Sequence, residues 1–286
     1  MRAAAAVLTL CALVPAAPAQ PHRPWSRPTS ARPTWPMPAA GKSSSGRPQL
    51  IFTFDDGPQE TFTPMLLDEL RKRNIHAIFF WVSERVSEPG PRVAMRRAVI
   101  ERAVREGHII GDHTIHHPHL CKVPRERAAR EIDENRAVYA KLSGLPILFF
   151  RTPFGDYCPQ VVELLEERGL RHLHWDIDPM EFVDKDGIRA AGTLRRHIAA
   201  TARGNERAVV LVHEIHLAGI QAVTLALQWL DGEQARRQAA GEPPIEILSG
   251  SDLARERMDG ALVGWVGDTA TGAAASLDAA LRRLVP

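Results

Sequence analysis

Two adjacent carboxylates, Asp55 and Asp56, follow an apolar run, Ile51-Phe52-Thr53-Phe54, and precede Gly57-Pro58. The run reads as a buried strand over residues 50–54, and Gly-Pro forces a turn. Inside a strand such neighbours would repel until one took a proton, whereas at its carboxyl end both can face a pocket. Asp, Gly and Pro also make ordinary surface turns, so the rest of the chain must decide. A second stretch, His113-Thr114-Ile115-His116-His117-Pro118-His119, places two histidines four apart. A single helical turn would put both imidazoles on one side. With one carboxylate they form a two-histidine, one-carboxylate site that suits Zn²⁺ and also Fe, Co²⁺, Ni²⁺ or Mn²⁺. His-rich loops also bind metal adventitiously, but this one falls at a strand end, as the paired carboxylates do. Two adjacent aspartates can then divide the labour, one holding metal and the other acting as base toward a water that the metal has acidified. Arg151, in Arg151-Thr152-Pro153-Phe154-Gly155, offers the salt bridge that would orient such a base. His213 ends an apolar strand, and taken alone it reads as a satisfied core histidine. Held as imidazolium by a carboxylate, it would serve as an acid for a leaving group.

The elements that must position these residues alternate regularly. Strand-like stretches at 50–54, 76–82, 107–111, 145–150, 170–177, 208–213 and 245–248 are separated by helical ones at 62–73, 91–105, 124–142, 158–168, 187–202 and 220–237. That pattern means βαβ units and a mostly parallel sheet. The expected architecture is an α/β barrel of about seven units, distorted and incomplete. Function in parallel α/β folds sits at the carboxyl ends of strands. Five strand ends carry the polar residues here, at 55–56, 113–119, 151–157, 176–181 and 213–214.

The formal net charge of +2 is spread without a basic stripe, so nucleic acid is not an expected partner. Acidic polymers are neither favoured nor excluded by it. Met1-Arg2, the apolar stretch 3–14 and Ala17-Pro18-Ala19 read as a secretory signal cleaved after Ala19, with an uncleaved anchor as the alternative. The apolar stretch is too short to span a bilayer comfortably. Leu10 before Cys11 argues against lipidation. The expected location is therefore the periplasm or the exterior, with no membrane span left after cleavage. Residues 20–48, rich in Pro, Ser and Arg, read as a linker. Residues 49–250 form the folded domain, and 251–286 an Ala/Gly-rich tail. In an oxidising compartment Cys121 and Cys158 either bridge or remain two buried thiols.

The motifs Phe52-Thr53-Phe54-Asp55-Asp56-Gly57-Pro58, His113-Thr114-Ile115-His116-His117-Pro118, Arg151-Thr152-Pro153-Phe154-Gly155 and Leu211-Val212-His213 resemble, in order, those of the polysaccharide deacetylases of the NodB-homology type, carbohydrate esterase family 4. The resemblance covers roughly residues 49–248. It implies a distorted (β/α) barrel and metal-dependent hydrolysis of acetyl groups, chiefly N-acetyl, from a glycan such as peptidoglycan, a chitin-type oligosaccharide or an exopolysaccharide. It implies Asp55 as base, Asp56, His113 and His117 as ligands of a divalent metal, Zn²⁺ first, and Arg151 as the partner orienting Asp55. The Phe154 N–H would help hold the oxyanion. His213 would be the acid, with Leu211 in the substrate-facing set. The family's usual Asp-Trp is replaced by Glu181-Phe182, which makes Glu181 the carboxylate tuning His213, with Asp178 the fallback, and Phe182 a groove wall. Glu214 stands where Asp is more usual. Other readings keep the fold with O-acetyl xylan or a non-carbohydrate amide as substrate, or lose turnover and bind glycan. The complete set of acid, base and metal ligands argues against the last. A phosphatase of the Asp-x-Asp kind is disfavoured because its carboxylates are spaced by one residue and these are adjacent.

Overall fold

The computed structural model describes residues 43, 45–87 and 89–255; the expected signal, most of the linker and the tail beyond 255 lie outside the described residues. The strands are β1 (Gln49–Asp55), β2 (Ile78–Trp81), β3 (Ile109–Asp112), β4 (Phe149–Phe150), β5 (Arg171–His172), β6 (Arg207–His213) and β7 (Glu246–Ile247). All pair in parallel in the order β5-β4-β3-β2-β1-β6, with β7 on the start of β1. The helices are α1 (Phe62–Arg71), α2 (Glu84–Ser87), α3 (Pro91–Arg105), α4 (Arg125–Ser143), α5 (Pro159–Glu167), α6 (Glu181–Asp184), α7 (Gly187–Gly204) and α8 (Leu217–Ala239).

Two expected strands shrink most. Of 145–150 only Phe149–Phe150 pairs, because Pro146 has no N–H to donate and restrains Leu145. The stretch 170–177 pairs with β4 at Arg171 and His172, then with β6 at Ile177. One short segment thus spans from one edge of the sheet to the other, so it cannot remain in a single ladder. It closes an otherwise open barrel.

Alternation along β1 sorts the core into two layers. Leu50, Phe52 and Phe54 face the helices and pack with Leu66, Leu194, Ile198, Val210 and Leu227. Ile51 faces the barrel interior with Ile78, Phe80, Ile109, Phe149 and Val209. Thr53 and Asp55 share that interior face by the period of two. A helical turn at 250–255 brings Leu253 and Ala254 into the interior layer, so buried packing continues beyond the expected boundary at 250.

Candidate active site

Asp55 ends β1 with its side chain almost sealed from solvent. Arg151, fully buried just after β4, reaches across the barrel interior to it. Arg151 Nη1 donates to Asp55 Oδ1 at 2.7 Å and to Thr53 Oγ1 at 2.7 Å. Its Nε donates to the Leu173 carbonyl at 2.8 Å, and its guanidinium lies 4.3 Å over the Phe80 ring. A buried charge needs a partner and satisfied donors, and this one has both. Asp55 Oδ1 is thereby committed, and Oδ2 is turned toward His113 Nε2 at 3.8 Å.

Asp56, His113 and His117 form a compact donor set, each offering one ligand atom within 4.8 Å of the others. Asp56 Oδ1 lies 3.5 Å from Nε2 of each histidine. Two ligands at about 2.1 Å from one tetrahedral ion stand about 3.4 Å apart, so the spacing fits a shared cation. His113 Nδ1 donates to the Arg151 carbonyl at 2.8 Å, so in the neutral ring it is Nε2 that carries the lone pair and is aimed at the cluster. Burial opposes charge on His113, but Asp55 and Asp56 outweigh it and raise its pKa. Burial also resists ionisation of Asp56, yet the hydrogen bond and charge of His113 hold it well below the usual carboxylate range. Burial and the nearby His113 bring His117 down to about 4, which keeps it neutral and able to ligate.

The two histidines do not sit on a helical turn as their spacing suggests. Residues 113–119 form a loop in which Thr114 and His117 take positive φ, 71° and 54°. Side-chain acceptors shape it. Asp112 Oδ1 accepts from Thr114 N at 2.9 Å, and Thr114 Oγ1 from His117 N at 3.0 Å. Glu131 Oε2 accepts from the N–H groups of Ile115 and His116 at 3.1 and 2.9 Å. Burial pushes the Asp112 carboxyl up to about 7. Asn135 donates to the same Asp112 oxygen at 2.7 Å. The reading from sequence missed Asp112, Glu131 and Asn135. A signal exists, since the buried face of α4 runs Ala128, Glu131, Ile132, Asn135, Tyr139, with two polar residues on a core stripe.

His213 ends β6 in direct register with Asp55. Its Nδ1 meets Glu181 Oε1 at 3.0 Å, and its backbone N–H donates to the same oxygen at 2.6 Å. Burial opposes protonation of His213. The Glu181 hydrogen bond and the charges of Glu181, Asp56 and Asp55 outweigh it and raise the pKa to about 9. Asp178 instead accepts from the Met180 N–H at 2.8 Å, so of the two carboxylates it is Glu181 that meets the imidazole. Phe182, half-exposed, stands edge-on to the His213 ring at 4.8 Å. Phe154 sits at φ 60° in a 3₁₀ turn and stacks on His119 at 3.9 Å on the opposite side. Leu211 is 3 % exposed and lies below the site, on the inward face it shares with Val209 and His213.

Two further contacts brace the strand-end loops. Cys121, after the histidine loop, is disulfide-bonded to Cys158, after the Arg151 loop, with Cα atoms 6.0 Å apart. Glu214 Oε1 accepts from Thr63 Oγ1 and Trp81 Nε1 at 2.7 and 2.8 Å beneath Gly57. A Cβ on Gly57 would fall 1.9 Å from that oxygen, so only glycine lets the carboxylate loop lie this close.

Residues 42–173 match the family model for polysaccharide deacetylases. A peptidoglycan-N-acetylglucosamine deacetylase of Bacillus cereus is 32% identical over 142 residues, covering 50% of this chain and 48% of that protein. The match therefore spans about half the length of that relative. A chitooligosaccharide deacetylase of Bradyrhizobium is 30% identical over 171 residues, covering 59% of this chain and 72% of that one. The fold matches the peptidoglycan deacetylase PdaC of Bacillus subtilis with a TM-score of 0.60 at 22% identity, over 77% of this chain and 98% of PdaC. With its strand-end motifs assembled at one mouth of a parallel barrel, the chain belongs to the polysaccharide deacetylase family.

Proposed function

We propose that this chain is an exported, metal-dependent deacetylase that hydrolyses N-acetyl groups on a peptidoglycan- or chitin-type glycan. The observation that carries the reading is the meeting of Asp55, held by Arg151, and His213, held by Glu181, on either side of a cation-spaced donor set. The N-terminal signal pattern supports export.

Asp56, His113 and His117 would hold the ion, with Zn²⁺ fitting the donors and Co²⁺, Ni²⁺ or Mn²⁺ as substitutes. A divalent cation there supplies Lewis acidity toward the acetyl carbonyl and makes water easier to deprotonate. Asp55 Oδ2 takes the proton of the attacking water, because Oδ1 is fixed by Arg151. The fixed orientation is what a base needs at the moment of attack. The Phe154 N–H contributes a donor to the developing oxyanion. His213 keeps Nδ1 on Glu181, which leaves Nε2 to protonate the departing amine. Phe182 and Phe154 form the apolar walls on which a sugar ring rests.

Purified protein is expected to release acetate from chitooligosaccharides or peptidoglycan fragments and to lose this with chelator, regaining it with Zn²⁺ or Co²⁺. Asp56→Ala should lose bound metal, whereas Asp55→Asn keeps metal and loses about 10²–10⁴ in kcat. Acetylated xylan and small amides belong in the same panel. Acetate release indifferent to chelator, or Asp55→Asn at full rate, would overturn the reading.

A further inference from the structure

A second space opens beside the donor set. A cavity of about 390 Å³ is lined by Asp56, His117, Val82, Glu84, Arg85 and Arg96. Its size falls in the ~300–1,000 Å³ range of small-molecule sites. Because Asp56 and His117 form part of its wall, whatever fills it is continuous with a group bound at the cation. Its far wall is fixed to the site by the backbone. The Val82 N–H donates to the Gly57 carbonyl at 3.1 Å, and the Glu84 N–H to the Ile115 carbonyl at 3.2 Å.

The charges in this wall are unevenly matched. Arg96 Nε pairs with Glu60 at 2.7 Å and its Nη1 donates to the Arg85 carbonyl at 2.9 Å. Glu60 also faces Arg92 at 3.7 Å, so one carboxylate answers two guanidiniums. Arg85 donates through Nε to the Asp56 carbonyl, and among the described residues it has no carboxylate partner. Its two Nη groups remain to donate. Glu84 is the one acid left at the rim, since Asp56 is committed to the cation. With a divalent ion bound, the balance around the cavity is positive. The near-neutral charge of the whole chain gives no hint of this, because the excess is local.

We propose that this cavity selects acetylated glycans bearing a carboxylate on or beside the acetamido sugar, with Arg85 as the specificity-determining contact. The inference rests on the deacetylase reading above. A guanidinium held through Nε presents its Nη fork as a planar pair of donors, the geometry that matches a carboxylate. Since the cavity shares Asp56 and His117 with the donor set, an acetyl group at the cation would set a substituent of the same or the adjoining ring against it. A lactyl ether or a uronic acid supplies the right charge there. Charge-assisted hydrogen bonds to a guanidinium are strong enough for about tenfold selection or more.

The test compares kcat/KM on two fragments of a muramic-acid-containing glycan strand. One carries its free lactyl carboxylate, and the other has that carboxyl converted to the amide. The wild-type protein should prefer the carboxylate by about tenfold or more, chiefly through KM, and the preference should shrink between 0.05 and 0.5 M salt. Arg85→Met should bring the ratio to near 1, with Arg85→Lys intermediate. The ratio cancels any loss common to both substrates through the Asp56 carbonyl contact. A wild-type ratio near 1, or an unchanged ratio in Arg85→Met, overturns the proposal. If no fragment yields acetate, the deacetylase reading fails, and calorimetric binding of the two fragments decides this inference separately. Tighter binding of the carboxylate form by the wild type but not by Arg85→Met supports it. Equal binding overturns it.

Discussion

At the residue scale, the paired aspartates take unequal parts because they point different ways. Asp55, still in β1, faces the interior and meets Arg151. Asp56, one residue on and at φ 72°, turns toward His113 and His117. The same logic of commitment applies to His213, the proposed acid. His213 gives Nδ1 to Glu181, whose other oxygen is buried without a partner among the described residues. With its pKa raised to about 9, His213 stays protonated through neutrality, so proton donation is available below that value and lost above it. A divalent cation held by Asp56, His113 and His117 would oppose the imidazolium charge, so the alkaline limb is expected at or below this pH. Glu181→Gln removes the stabilising charge, so the limb of kcat/KM against pH should move down by at least about one unit. A limb that does not move would show that Glu181 only positions the ring.

At the element scale, the disulfide joins the turn after the histidine loop to the start of α5, and the His119–Asp156 contact at 2.5 Å and the His119–Phe154 stack lie on the same side. The two loops that carry the candidate metal ligands and the proposed oxyanion donor are thus clamped to each other. For a sequence separation of 37, the chain-entropy relation gives about 4 kcal/mol of stabilisation as an upper figure. Cys121→Ser with Cys158→Ser should lower the urea midpoint accordingly and weaken metal retention; an unchanged midpoint would sink this assignment. How far the sequence could be read also divides by element. Strand ends were legible because apolar runs stop at charged residues, as at Asp55 and His213. The helical stretch 91–105 was legible from its Pro91 start and its periodicity. The histidine loop was not, because its shape comes from Asp112, Thr114 and Glu131 accepting backbone N–H groups, and long-range acceptors leave no local period. The segment 170–177 was misread as one strand because its composition is strand-like while its two ends pair with opposite edges of the sheet. The pairing of Glu181 rather than Asp178 with His213 needed three-dimensional contact to decide.

At the scale of the whole molecule, the barrel has a chemical mouth and a plugged base. Leu253 and Ala254 pack among Ile78 and Ile109, the first residues of β2 and β3, at the end away from Asp55. Leu253→Ala should cost about 2–5 kcal/mol in unfolding free energy, read as a lower melting temperature. Because it lies at the far end, kcat of the protein still folded should stay within a factor of two or so of wild type. A large kcat loss without loss of stability would contradict this division of the barrel. Between base and mouth, Asp55 and His213 stand opposite each other on adjacent parallel strands, so their spacing is set by the sheet, about 4.8 Å between strands. In the proposed mechanism, proton abstraction and proton return are therefore tied to adjacent strands of the sheet, while Phe154, Phe182 and Arg85 ride on turns and short helices outside it. Such an arrangement is modular. On the proposed function, the turns around the mouth can be exchanged, and the choice of sugar with them, while the distance between Asp55 and His213 stays as the ladder dictates.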